Sequence, residues 1–127
     1  MIMTRTLISS GSRFEAEFGY SRGVISDGTI YMSGCSGWNY DIDSVDPDAE
    51  VQTKQALVNV EAALAKANAK LEHVVKATIY IARRADVDAV LRAWGARMKD
   101  IRPAMTLVLA ELLDEKMKVE IEVTARV

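Results

Sequence analysis

Few side chains in this sequence are suited to chemistry, and their spacing limits what each can do. Glu120 lies in Val119-Glu120-Ile121-Glu122-Val123, where apolar and acidic residues alternate, so both carboxylates project from one face of a strand. A carboxylate placed this way is either a solvated strand position or a group that can hold and activate a water molecule. Cys35 directly follows Ser33-Gly34, but the single histidine, His73, is far from it in sequence. Cys35 therefore reads as a small buried thiol before it reads as a nucleophile, and His73 as a surface residue ahead of a strand. Arg22 follows Tyr20 by two residues and shares its side of an extended segment. It is either a cation for an anionic ligand or a member of a surface or intersubunit ion pair. Asp41, Asp43, Asp46 and Asp48 alternate somewhat like a calcium loop but lack the glycine and the terminal glutamate of one. One cysteine and one histidine are too few soft ligands for zinc. Neither a metal nor a cofactor is expected.

These groups sit in a chain of 127 residues, enough for one domain spanning residues 1–127. Half of the residues are hydrophobic and 27% are charged, which excludes disorder as the main state. Sixteen basic against eighteen acidic residues leave a net charge of −2, which argues against a partner that must be tracked along its phosphates. No nucleic-acid partner is expected. No apolar run approaches the roughly 20 residues that cross a bilayer, and Met1-Ile2-Met3-Thr4-Arg5 carries no secretory h-region. A cytoplasmic protein with no membrane partner is expected.

The elements that must position the candidate groups follow from periodicity. Residues 4–8 read as a short strand, and Gly23 to Ser33 as a hairpin turning at Asp27-Gly28. Residues 34–46 form a long loop whose Trp38 and Tyr40 would wall a pocket or bury an interface. Asp46-Pro47 predicts a helix start with Asp46 as N-cap, and Leu57, Val60, Leu64, Ala67 and Leu71 carry its apolar stripe to about Ala69. Residues 74–82 are a β-branched strand. A second helix carries Val87, Val90, Leu91, Trp94 and Met98 and stops before Arg102-Pro103, the residue before proline avoiding the α region. Residues 104–110 and 118–127 are the last strands, and Met98, Met105 and Met117 read as packing. The order β-β-β-α-β-α-β-β predicts an α+β domain with two helices on one face of a mixed sheet. Glu120 and Glu122 are then left on the uncovered face.

Six segments in this order, Gly19-Tyr20-Ser21, Ile30 to Gly34, Gln55 to Asn59, Val74 to Thr78, Arg102-Pro103-Ala104 and Val119 to Val123, resemble the RidA/YjgF family. The resemblance runs from about Tyr20 to Val127. It implies a chorismate-mutase-like fold, assembled as a homotrimer around a central barrel of sheets with clefts between neighbouring chains. It also implies hydrolysis of reactive enamine or imine intermediates to 2-oxo acids and ammonia; older labels for similar sequences are endoribonuclease and translation inhibitor. Residue by residue, it makes Tyr20 a pocket tyrosine, Ser33 and Gly34 part of a substrate loop that runs into Cys35, and Glu120 the acid that holds the attacking water. Where the family's deaminases read Pro-Ala-Arg-Ser, this chain reads Pro103-Ala104-Met105-Thr106, so the arginine that grips a substrate carboxylate is missing. The family's asparagine on the second helix aligns with Leu91. Arg102 lies three residues from position 105 and has the opposite strand parity, so it does not replace the missing arginine. Arg22 is the candidate substitute, and a non-catalytic binding or regulatory trimer is the alternative function.

Overall fold

The computed structural model describes residues 5–127; of the predicted first strand, Thr4 lies outside the described residues. A seven-stranded sheet runs β1 (Arg5–Ile8), β2 (Gly23–Ser26), β3 (Thr29–Met32), β9 (Val119–Arg126), β7 (Val74–Ile81) and β8 (Ala104–Leu109), with the short β4 (Cys35–Ser36) also paired to β9. Every pairing is antiparallel except β7 with β8, the single parallel crossover, made through α3 (Val87–Met98). The expected hairpin turn is present, with Asp27 and Gly28 both at positive φ, 50° and 79°, as a type I′ turn requires.

α2 (Ala49–Ala65) and α3 cover one sheet face, as the strand alternation requires. Val119, Ile121, Val123 and Ala125 of β9 are buried beneath them, together with Ala77, Ile79 and Ile81 of β7. Glu120, Glu122 and Thr124 point the other way, beside Tyr31, Thr78 and Tyr80, and no helix of the described residues lies over them. The α+β architecture is as predicted.

Several boundaries differ from expectation, each for a local reason. The N-cap of α2 is Asp48, not Asp46: its carboxylate accepts from the Glu50 and Val51 N–H groups, while the Asp46 carboxylate, two residues earlier, accepts from the Asp48 N–H. α2 stops at Ala65 because Asn68 takes a left-handed conformation (φ 56°), and buried Leu71 belongs to a separate 3-10 turn, Leu71–His73. α3 ends at Met98, with Arg102 itself at φ 56° before Pro103 and its N–H on the Met98 carbonyl. A six-residue helix, α1 (Arg13–Phe18), was not expected; Ser12 caps it and Gly19 closes it. The loop after Gly34 contains β4 and a small β5–β6 ladder (Trp38–Asn39 with Ser44–Val45).

Gln52, fully buried on α2, ties these pieces together. Its amide nitrogen donates to the Asp46 and Lys116 carbonyls and its amide oxygen accepts from the Lys118 N–H, at 2.7, 2.9 and 2.8 Å. The start of α2 is thereby fixed to the entry of β9, the strand that carries Glu120. Gln52→Leu strands three backbone groups, and a buried unmet polar group costs about 1–3 kcal/mol. The variant should lose about 3 kcal/mol in urea unfolding. A loss below about 1 kcal/mol would show that the clamp is dispensable.

Candidate functional site

The uncovered end of β9 brings together most of the residues singled out above. β4 pairs with β9 so that Ser36 faces Glu120 and Cys35 faces Ile121. Immediately before it, Gly34 lies against the Glu120 side chain: a Cβ on Gly34 would sit 2.8 Å from the carboxyl carbon of Glu120 and 2.9 Å from its Oε2. Any larger residue at position 34 would push the Glu120 carboxyl group from this place. Arg22 Nη2 donates to the Gly34 carbonyl at 2.9 Å, Ser33 N–H donates to the Arg22 carbonyl, and the Ser33 hydroxyl donates to the Ser21 carbonyl at 2.7 Å. Ser33 thus spends its hydroxyl hydrogen on holding the Ser21–Arg22 segment beside Gly34. Glu122, two residues on, accepts from the Tyr80 hydroxyl at 2.9 Å, and this carboxylate raises the phenol's pKa above its ordinary value. Of the two acidic residues of β9, Glu122 is engaged by its neighbour and Glu120 is the one against the Gly34 backbone.

Cys35 is buried, and burial pushes its thiol pKa up; the Arg22 guanidinium pulls it down and the Glu120 carboxylate adds to the rise. It is a protonated thiol at neutral pH, consistent with its reading as a buried residue. His73 takes no part in the site, its Nδ1 accepting from the Lys70 N–H. Three of the four aspartates have structural partners: Asp43 accepts from the Trp38 indole, Asp46 from the Asp48 N–H, and Asp48 caps α2. Among the described residues no group of three or more potential ligands could hold a metal ion.

Met105 and Thr106 are not gathered into this cluster within one chain. Met105 pairs with Ala77, which places it with Leu107 and Leu109 on the helix-side face of the edge strand β8. Thr106 pairs with Thr78 on the opposite, uncovered face, in the row of Glu122. Three strands, β3, β9 and β7, separate β8 from β2, a distance of roughly 19 Å at about 4.8 Å per strand. Met105, Leu107 and Leu109 are 36–42% exposed.

A second feature was not expected. A cleft of about 770 Å3 lies between α1, the end of α2 and the β4–β6 segment, reaching Tyr20, Arg22 and Cys35. Trp38 and Tyr40 are on its wall. Glu15 of α1 is buried at its edge, accepting from the Ser10 N–H at 3.0 Å and from the Ser10 hydroxyl. The Ser10 hydroxyl, before the Ser10 N–H, Ser9 and the Arg22 charge, holds the Glu15 carboxyl below its ordinary pKa against the opposing effect of burial. The sequence signal for this helix was the pair of caps at Ser12 and Gly19.

Because the folded-state pKa of Glu15 is depressed, its contribution to stability is complete above the unfolded value near 4.5 and is lost as pH falls through the folded value. Urea unfolding of the natural protein and of Glu15→Gln should therefore differ most above pH 5 and converge in acid. A pH-independent gap would contradict this account of the Ser10–Glu15 contact.

Comparison with known proteins agrees with this architecture. The family model described as Endoribonuclease L-PSP matches residues 10–127. The RutC family protein YoaB of Escherichia coli is 33% identical over 116 residues, spanning 91% of this chain and 96% of that protein. The 2-iminobutanoate/2-iminopropanoate deaminase of Capra hircus is 32% identical over 124 residues, covering 97% of this chain and 90% of that protein. The crystal structure of Rv2704 from Mycobacterium tuberculosis, a member of the YjgF/YER057c/UK114 family, superposes with a TM-score of 0.87 at 33% identity, covering 98% of this chain and 100% of that one.

Proposed function

The chain belongs to the RidA/YjgF family, whose model carries the endoribonuclease L-PSP description, and on that premise we propose that it is a homotrimer binding a small organic ligand in clefts between chains and hydrolysing a reactive enamine, imine or related C–N bond. One observation carries the proposal: the Glu120 carboxylate lies on the uncovered sheet face against Gly34, whose carbonyl is held by Arg22. In this reading Glu120 accepts a proton from a water molecule as the water oxygen adds to the C=N carbon. The substrate nitrogen takes up a proton, and the adduct collapses to the carbonyl compound and ammonia or an amine. Tyr20 and the backbone at Ser33-Gly34 position the substrate, and no cofactor enters.

The separation of Met105 from Tyr20 and Arg22 fits a site shared between chains, since the edge strand of one chain can reach the Glu120 cluster of another. At that strand the chain presents a thioether, which donates no hydrogen bond, in the place of the deaminases' arginine. A charge-assisted bond contributes about 1.5–3 kcal/mol, so its loss weakens recognition of a carboxylated imine by roughly 10- to 150-fold. A less charged, more apolar substrate is expected. The same thioether favours, as a second reading, a trimer that binds small molecules without turning them over. The net charge of −2 makes ribonuclease action the weakest reading.

A coupled imine-hydrolysis assay on a panel of charged and uncharged imines separates these readings. Glu120→Gln should lower kcat/KM on the preferred imine by about 10²–10⁴-fold. Met105→Arg should raise activity on carboxylated imines by about tenfold or more. Full activity of the Glu120→Gln variant would overturn the catalytic assignment. Inactivity of the natural protein and of Met105→Arg on every imine would leave the binding reading.

A further inference from the structure

The polar stripe of α2 has no part in the hydrolytic mechanism as described. Gln52, Gln55 and Asn59 recur at spacings of three and four, so they share one face of the helix, and that face is turned to β4, β5 and the entry of β9. Asn59 uses both amide hydrogens on one stretch of backbone, donating to the Ser36 carbonyl at 2.9 Å and to the Trp38 carbonyl at 2.8 Å. These carbonyls flank Gly37, whose backbone is pressed on α2: a Cβ there would sit 2.3 Å from the Gln52 carbonyl oxygen. Gln55 donates to the Asn59 amide oxygen at 3.0 Å. Because a backbone carbonyl only accepts, the two carbonyls and Gln55 together fix which way the Asn59 amide points.

β4 needs this support. It is two residues long and pairs with β9 alone among the described strands, Cys35 with Ile121 and Ser36 with Glu120. A ladder that short opens readily unless other contacts hold it. Arg22 ties the chain before β4, at the Gly34 carbonyl, and Asn59 ties its end, at the Ser36 carbonyl. The Glu120 side chain packs against Gly34, directly before β4, so any drift of β4 away from β9 moves the surface on which the carboxylate rests.

We propose that Asn59, oriented by Gln55, is a positioning residue for Glu120: it holds β4 on β9, and with β4 the backbone that fixes the Glu120 carboxylate. The proposal rests on the hydrolytic role given to Glu120. Asn59 acts through β4 and does not touch the substrate.

Cys35 is the single cysteine of the chain and is buried in β4, so its reaction with Ellman's reagent under native conditions reads the opening of β4 without any substrate. Asn59→Asp keeps the shape of the side chain, removes both donors and sets a carboxylate against two carbonyl oxygens; its Cys35 should react about tenfold faster than that of the natural protein. Gln55→Leu removes only the orienting bond and should accelerate the reaction about threefold. Leu71→Ala, at a buried position in the 3-10 turn, lowers core stability while keeping both ties of β4, and should leave the rate within about twofold. On the preferred imine, Asn59→Asp should lower kcat about tenfold with KM within about twofold. In the Glu120→Gln background the same substitution should cost less than about twofold, because a residue that acts through Glu120 has nothing left to position there. Unchanged Cys35 rates in both α2 variants, equal acceleration by Leu71→Ala, or a full loss of kcat repeated in the Glu120→Gln background would each overturn the proposal. A natural protein that turns over no imine would overturn the positioning role together with the hydrolytic reading, and altered Cys35 rates in that case would separate this failure from a failure of the Asn59 tie.

Discussion

The structure depends on a shortage of cover: α2 and α3 shield one face of a sheet that has two. Ile79, Ile81, Val119, Ile121 and Val123 are buried beneath them. At about 25 cal/mol per Å2 of apolar area, this burial is the main term holding sheet to helices. The alternate residues of the same strands must then tolerate water or another surface, which is why β9 reads Glu120, Glu122 and Thr124 on that side. The polar face that leaves the sheet half open is also what leaves a carboxylate accessible.

That accessibility is useful because the backbone near Glu120 is held from several directions. Gln52 joins α2 to the approach of β9, Asn59 joins α2 to β4 and β5, and Arg22 joins the start of the hairpin to Gly34. These are side chains bonded to backbone of other elements, at sequence separations from 6 to 66 residues, so they fix positions that no single element could fix alone. At the far side of the sheet, β8 is an edge strand with Met105, Leu107 and Leu109 partly exposed, an arrangement that soluble chains ordinarily blunt with charge or cover with another surface.

The strands and long helices were legible in the sequence because burial on one face leaves a period. The period of two in residues 119–126 and the Asp27-Gly28 turn specified β9 and the β2–β3 hairpin, and the uncovered face of Glu120 followed directly. α1 was not legible by the same means: it buries only Glu15, so no apolar stripe marks it. The cap of α2 was displaced by two residues because Asp46 and Asp48 are both good capping residues, and only the backbone path decides between them. The pairing of Glu122 with Tyr80, and so the distinction between two similar glutamates, required the register of β7 against β9. The aromatic cleft joins residues from Phe14 to Lys66 and beyond, which no local pattern connects.

The central claim is that the uncovered face and the exposed edge of β8 are met by other copies of the chain, so that Glu120 of one and position 105 of another share a cleft. Sedimentation equilibrium of the purified protein at micromolar concentration tests it most directly. A single species of three times the 14.0 kDa chain mass is expected. A stable monomer under those conditions would contradict it and remove the shared site.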